Sequence, residues 1–339
     1  MNGVRRAAVT GANGFLGSHV CDVLAEHSWQ VRAGHRAGSD LRWLDGGAAT
    51  PVTTDLRDPA SLAALMDGCE AVVHCAGALV ADEDTYRRVN VDGTRAVAQA
   101  AARAGVRRLV FVSSLAAGGP AGPDAPRDES HADQPISGYG RSKLAAEQVL
   151  LDGAWPFETL CLRPPALYGP RDREFLPMFR AARLGWTARF GTRLRGLSLV
   201  HGRDAAAATV ALLETPSVSG FYYVDDGPGH VGPADPGRLS PCGYHWCELR
   251  RVLGVIFQRR IGELLVPLAG LRLAGQMLPG HRRRSSPLFN PDRVDDLDTD
   301  GWVCDASRLR RDTGWQPQFD LANGLRDTAA FMRRQGWLR

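Results

Sequence analysis

The stretch that most limits what this chain can become lies at its start. Val4 to Thr10 reads as a short buried strand, and Gly11-Ala-Asn-Gly14-Phe-Leu-Gly17-Ser18-His19-Val20 follows as a tight turn running into a helix. Glycines so placed let the backbone turn sharply and approach a pyrophosphate, which then rests on the free N–H groups at the helix N-terminus. The spacing is Gly-x-x-Gly-x-x-Gly, not the Gly-x-Gly-x-x-Gly of the standard dinucleotide fingerprint. Its weight comes from strand, turn and helix arriving in that order.

The amino-terminal half continues the alternation. A second strand ends near Val31-Arg-Ala-Gly-His-Arg36, where an acidic residue binds the ribose 2′-hydroxyl of NAD and an arginine accommodates the 2′-phosphate of NADP. No Asp or Glu lies between Gln30 and Ser39, whereas Arg36 does and Arg42 is close behind, so the pattern predicts NADP(H) over NAD(H). Arg42 is equally well explained as a solvated side chain. Val52 to Pro59 reads as a strand end with a helix cap, placing Asp55 near the adenine; Ala71 to Gly77 is an apolar strand that breaks beside the cofactor. Val89-Asn90-Val-Asp-Gly-Thr94 opens another helix, and Leu109 to Ser114 is an apolar strand ending in hydroxyls. Strand carboxyl ends are where open α/β sheets bind ligands, and alternation of this kind implies a doubly wound parallel sheet, an α/β Rossmann architecture.

One side chain then stands apart. Of 41 basic residues 40 are arginine, and the single lysine, Lys143, follows Tyr139 by four positions. With six tyrosines in the chain, chance placement would give that spacing only about once in fifty sequences. On a helix, positions i and i+4 share a face. An ammonium is a compact point charge that a planar guanidinium does not reproduce, and a positive charge near a phenol lowers its pKa toward useful acid–base chemistry. The bland alternative is a packed tyrosine beside a snorkelling lysine.

Composition removes several classes. Hydrophobic content of 44% and charged content of 23% suit a globular protein, and a formal net charge of +4 with scattered arginines does not indicate nucleic-acid binding. No apolar run reaches the length of about 20 residues that spans a bilayer, and the start of the chain carries no secretory pattern. Seven cysteines at irregular spacing suit reduced thiols, and the expected location is cytoplasmic. Cys242-Gly-Tyr-His245-Trp-Cys247 lacks a second ligand pair, so no metal is expected.

Taken together, Thr10-Gly-x-x-Gly-x-x-Gly17, Asp55-Leu-Arg-Asp58, His74-x-Ala-Gly77, Asn90-Val-x-Gly-Thr94, Val112-Ser-Ser114, Tyr139-x-x-x-Lys143 and Arg163-Pro-Pro-x-x-Tyr-Gly-Pro170 resemble the extended short-chain dehydrogenase/reductase superfamily over essentially the whole chain. The resemblance implies Ser114 as hydrogen-bond donor to the substrate oxygen, with Ser113 its competitor. It implies Tyr139 as proton donor or acceptor, and Lys143 as the group that holds the nicotinamide ribose and lowers the tyrosine pKa. The cofactor positions it implies are Gly11, Asn13, Gly14, Phe15, Leu16 and Gly17 in the turn, and Arg36, Asp55 and Leu56 beyond it. Cys75, Ala76, Gly77, Asn90, Pro164 and Leu167 complete them, with Tyr139 and Lys143. A homodimer through helices around Arg95–Arg103 and Leu144–Leu151 is also implied.

Nucleotide-sugar members carry Arg-x-x-Asn-x-Tyr-Gly-Pro where this chain has Ala166, and a methyl group cannot hydrogen-bond a diphosphate. Leu115-Ala-Ala-Gly-Gly119 likewise offers small side chains where those enzymes carry a tyrosine, leaving room for a flatter apolar substrate. Both departures point toward hydroxysteroid-dehydrogenase and dihydroflavonol-reductase types. The expected organisation is a dinucleotide-binding domain over residues 1–165 with returning segments near 197–225, a substrate lobe over 166–196 and 226–320, and a terminal helix over 321–339. Phe175, Met178 and Phe179 are candidate pocket walls or core. Asp225–Gly243 reads as a long surface loop, and Glu263–Leu278 with His281–Arg284 as a lobe helix ending in a basic turn, preferred over a membrane-surface contact. The expected activity is NADP(H)-dependent interconversion of a carbonyl and a secondary alcohol on an apolar or polycyclic small molecule. An epimerase or dehydratase, and a cofactor-binding sensor without chemistry, are the competing readings.

Overall fold

The computed structural model describes residues 4–44, 46, 49–227, 243–278, 280 and 289–338. From the amino end, β1 (Arg6–Thr10), α1 (Phe15–Glu26), β2 (Gln30–His35), β3 (Ala49–Thr53), α2 (Pro59–Met66) and β4 (Ala71–His74) alternate as expected. A short α3 (Glu83–Tyr86) runs through a π-helical segment, Arg87–Asp92, into α4 (Gly93–Arg103). Then come β5 (Arg108–Val112), α5 (Leu115–Gly118), α6 (Gly138–Leu151), β6 (Glu158–Arg163), β7 (Ala166–Tyr168) and α7 (Leu176–Leu184). The remainder is β8 (Trp186–Phe190), β9 (Gly196–Leu197), β10 (Leu199–His201), α8 (Gly202–Glu214), β11 (Gly220–Tyr223), α9 (Trp246–Phe257), β12 (Gly262–Val266), α10 (Leu268–Gln276), α11 (Pro291–Leu297), β13 (Gly301–Trp302), α12 (Ser307–Thr313) and α13 (Leu321–Arg334).

Seven of these strands form one parallel sheet in the order β11-β6-β5-β4-β1-β2-β3. The chain reverses direction across the sheet between β1 and β4, which opens a crevice at their carboxyl ends. Strands buried on both faces read as continuous apolar runs, and successive residues alternate between two cores. Val9, Val110 and Leu162 join Val20 and Leu24 of α1 and Val210 and Leu212 of α8 on one face. Ala8, Val72, Leu109 and Phe111 pack on the other with Leu65 of α2, Val97 of α4 and Leu150 of α6. A third core brings Phe179, Leu249, Leu253, Leu325 and Met332 together from α7, α9 and α13. Phe179 is fully buried there and Phe175 and Met178 pack against it, so these three serve the core.

Two expectations are corrected. Of the segments expected to return to the main sheet, only Gly220–Tyr223 does so. Leu199–His201 pairs with Ala166–Tyr168 in a separate two-stranded ladder, because the chain turns at Gly202 directly into α8, which packs so closely on α1 that a Cβ on Gly202 would lie 2.7 Å from the Phe15 ring. Glu263–Leu278 is not one helix: residues 262–266 pair in parallel with β8, and Pro267, which cannot donate to a ladder, separates that strand from α10. Residues 228–242 of the expected surface loop, Cys242 and His281–Arg284 lie outside the described residues.

Candidate active site

The glycine turn is built as its sequence demands. Gly11 adopts φ +65°, and a Cβ there would lie 2.9 Å from the Ala76 backbone. A Cβ on Gly17 would sit 2.2 Å from the Gly11 carbonyl oxygen, so the helix touches the turn only because residue 17 is glycine. Gly14 is the N-cap of α1 and no side chain caps that end. The orphan N–H groups of the first turn, including Phe15, Leu16 and Gly17, therefore face the crevice as an anion cradle. Asn13 reaches the Asp40 carbonyl (3.5 Å), tying the turn to the loop after β2. In that loop Arg36 is exposed and forms no ion pair among the described residues, whereas Arg42 is held by Asp40 (2.5 Å). Asp55 is taken by the Arg57 guanidinium (2.7 Å), which holds its carboxyl down at about 2.

From the turn, contact passes through Cys75-Ala76-Gly77 to the lone lysine: a Cβ on Gly77 would lie 3.7 Å from Lys143 Nζ. The sharp bend after β4 is held by Asn90 in the π-helical segment. Its Oδ1 accepts from Ala78 N–H (2.7 Å), while its Nδ2 donates to the Ala78 carbonyl (3.1 Å) and to Ser142 Oγ (2.9 Å). Asn90, expected at the cofactor, has its amide committed to shaping this loop. Beneath it runs a buried chain. Thr94 Oγ1 donates to the Asn90 carbonyl (2.5 Å), so His74 Nε2, 3.1 Å away, must carry a proton; Nδ1 then accepts from Thr10 Oγ1 (2.6 Å), which itself accepts from Ala76 N–H (3.2 Å). Burial pushes the His74 pKa down to about 3, so the ring stays neutral and locks the carboxyl ends of β1 and β4 together.

On α6, Tyr139, Lys143 and Glu147 follow at four-residue intervals along one face. Tyr139 lies close to the Ser114 hydroxyl, whose influence opposes the rise in the phenol pKa and whose oxygen accepts from Ala116 N–H (3.1 Å) as the N-cap of α5. Ser113 is buried, and its hydroxyl has no partner among the described residues, so Ser114 is the serine that meets the phenol. Lys143 Nζ donates to the Val112 carbonyl (2.6 Å) and lies 4.3 Å from the Phe111 ring centroid. Burial lowers its pKa to about 8, against the opposing pull of Glu147.

The expectation that Lys143 would draw the Tyr139 pKa down is not met in this structure. Burial of the phenol raises it, and the opposing influences are the nearby Ser114 hydroxyl and the Arg293 charge. The ammonium is engaged by the Val112 carbonyl and the Phe111 ring face.

Sequence reasoning missed three supports. Arg163, fully buried on β6, donates to Glu147 (2.5 and 2.9 Å), to Asp133 (2.6 and 2.8 Å) and to the Tyr223 hydroxyl (2.9 Å), pinning α6 to the sheet. Asp292 of α11 accepts from Gly138 N–H (2.8 Å) at the start of α6. Asp296, close to the α6 N-cap Ser137, is pushed up to about 7 by burial, and its Oδ1 has no partner among the described residues. Only the Arg163 motif was visible beforehand, and its partners carry no spacing signal. The roominess expected of Leu115–Gly119 is also corrected. Within that run only Ala116 is not buried, a Cβ on Gly118 would meet the Tyr223 hydroxyl at 2.2 Å, and Gly119 needs φ +96°.

A parallel sheet with a glycine cradle at its switch point, facing a serine–tyrosine–lysine cluster, defines a dinucleotide-binding α/β enzyme. The chain belongs to the NAD dependent epimerase/dehydratase family, whose model matches residues 7–222, and is an NAD(P)-dependent enzyme of the extended short-chain dehydrogenase/reductase type. It is 30% identical over 334 residues to ceramide reductase of Caulobacter vibrioides, covering 98% of this chain and 95% of that one. To sterol demethylase protein B of Methylococcus capsulatus it is 36% identical over 349 residues, covering 97% and 99%. The crystal structure of gox2253 has the same fold, with a TM-score of 0.78 at 24% identity over 99% of this chain and 100% of that one.

Proposed function

We propose that this chain reduces a carbonyl to a secondary alcohol, or the reverse, on an apolar or polycyclic small molecule, using NADP(H). The observation that carries the reading is the clustering of the Ser114 hydroxyl and the Tyr139 phenol with buried Lys143, one helical turn along α6 from Tyr139. Two hydroxyls aimed at one point match the oxygen of a carbonyl that gains negative charge. NADPH, when bound, would supply the hydride, and the cradle fits its pyrophosphate because α1 starts at Gly14 with no side-chain cap, leaving first-turn N–H groups to receive an anion. Ser114 holds the carbonyl oxygen, Tyr139 delivers its proton to it, and the Lys143 ammonium supplies the positive charge that holds the nicotinamide ribose.

The apolar substrate class rests on Ala166, exposed where sugar-processing members carry asparagine, and on exposed Leu79 and Ile136 beside Tyr86 and Tyr139. The relatives named for ceramide and sterol chemistry agree with it. Mixing the protein with NADPH and a panel of lipophilic ketones, and following nicotinamide absorbance, tests the reading. Stoichiometric loss supports a reductase, while product formed without net absorbance change supports an epimerase.

Cofactor choice rests on Arg36. Arg36→Ala is expected to weaken NADP(H) about 10- to 100-fold, the worth of one charged hydrogen bond, and to leave NAD(H) nearly unchanged. Titration calorimetry with both nucleotides reads the difference, and equal losses would remove the preference.

A pH profile follows from Lys143. Its ammonium form is the useful one, and its pKa is depressed to about 8, so kcat/KM is expected to fall as pH rises through about 8. An alkaline limb displaced to pH 10 would place the essential proton elsewhere.

A further inference from the structure

The lobe beyond β7 presents a surface that a protein wholly bathed in water does not normally keep. Among the described residues strand β12 is paired on one side only, by β8, and it is exposed on both faces, with Leu264 55% and Leu265 47% accessible. Edge strands of soluble proteins ordinarily carry charge to prevent association. The one charge here, Glu263, is matched by Arg189 and Arg250, each 3.6 Å away. Trp186, in register with Gly262, is 42% exposed and lies on the same sheet face as Leu264, with exposed Leu184 just before it. Beyond Pro267, α10 turns Leu271 inward and leaves Leu273 and Met277, one turn apart, exposed at 64% and 84%. Scattered exposed leucines need no explanation, but an apolar strand followed by an apolar helix face does.

The surrounding charge indicates what covers it. Residues 176–190 and 246–278 carry eight arginines against two glutamates; Arg272 is paired with Asp295 of the acidic helix α11 and with Asp298 at its end, and Arg189 and Arg250 with Glu263. Arg183, Arg259 and Arg260 are exposed and form no ion pair among the described residues; Arg259 donates to the Arg183 carbonyl (2.6 Å) beside Trp186. Apolar side chains, a tryptophan and unpaired arginines on one lobe match the layers of an anionic bilayer surface, where acyl chains, interface and phosphates follow in turn. A protein partner would need a complementary acidic face, and a second copy of this lobe would bring arginine against arginine.

We propose that β12, the Leu184–Trp186 corner and the outer face of α10 form a docking face for an anionic lipid bilayer. The face connects to the reactive centre: Leu268 and Leu271 of α10 pack on Val294 and Leu297 of α11, and Asp292 of α11 holds the start of the helix bearing Tyr139. That docking serves to take the ketone directly from the bilayer rests on the reductase reading above.

Flotation of the full chain with vesicles separates the two ideas, since it needs no turnover. The chain is expected to float with vesicles containing phosphatidylglycerol and not with pure phosphatidylcholine, and to be released by high salt. Leu264→Glu with Leu265→Glu, and separately Arg259→Glu with Arg260→Glu, should each lower the bound fraction at least fivefold while circular dichroism stays unchanged. Equal flotation of the wild type and both variants would overturn the proposal. So would absence of flotation, including the case in which light scattering shows a dimer that the leucine variant dissociates. In a turnover arm, the leucine variant should lose activity on a vesicle-borne ketone and keep it on a water-soluble one. Absence of turnover on any ketone would sink the reductase reading and leave the flotation result standing.

Discussion

Lys143→Arg is expected to cut kcat/KM by about 10²- to 10⁴-fold while the protein remains folded. The substitution keeps the charge and changes its shape. Lys143 Nζ fits between the Val112 carbonyl, 2.6 Å away, and the Phe111 ring, in a space bounded by Gly77. A guanidinium is wider, planar and unable to present its charge as a point. Overpacking this corner costs about 1–3 kcal/mol, which shifts stability without abolishing the fold. Steady-state kinetics beside a urea unfolding curve separate the two effects. Near-normal turnover would remove Lys143 from the mechanism. The 40 arginines elsewhere show that this chain otherwise uses guanidinium for positive charge.

The second large effect is on stability. Arg163→Ala would leave Glu147 in the interior without its guanidinium partner and the charged hydrogen bonds it receives, a loss of about 3–5 kcal/mol. The damage should also reach activity, because Glu147 and Lys143 sit one turn apart and α6 is pinned to β6 through this guanidinium. Replacing both partners with apolar residues of similar volume, Arg163→Met with Glu147→Leu, is expected to recover much of the stability, since no buried charge is then stranded. Urea midpoints of the three variants check this. A single variant as stable as the wild type would show that the pair is already solvated.

Much of the amino-terminal half was legible because backbone geometry there depends on single residues. Gly11 and Gly17 are required by contacts of 2.9 and 2.2 Å that any Cβ would make, and a residue so constrained is visible in sequence. Tyr139 and Lys143 were legible because helix periodicity relates neighbours. Arg163, Asp133, Glu147 and Tyr223 were not, since no local rule links residues so far apart in the chain. The Glu263–Leu278 stretch misled for another reason. A short apolar run satisfies strand and helix patterns equally, and its pairing with Trp186–Phe190 is a long-range choice. The Tyr139 pKa was misjudged because sequence shows a charge four residues away but neither the depth of burial nor where the ammonium points.

The bond between Gly138 and Asp292 crosses 154 positions of the chain. Ribosomes release a polypeptide from its amino end, so the nucleotide-binding sheet can settle while the carboxylate that steadies the start of the tyrosine's helix has not yet been synthesised. A chain cut short of residue 292 is expected to lack that acceptor and to hold the start of α6, and with it Tyr139, less firmly.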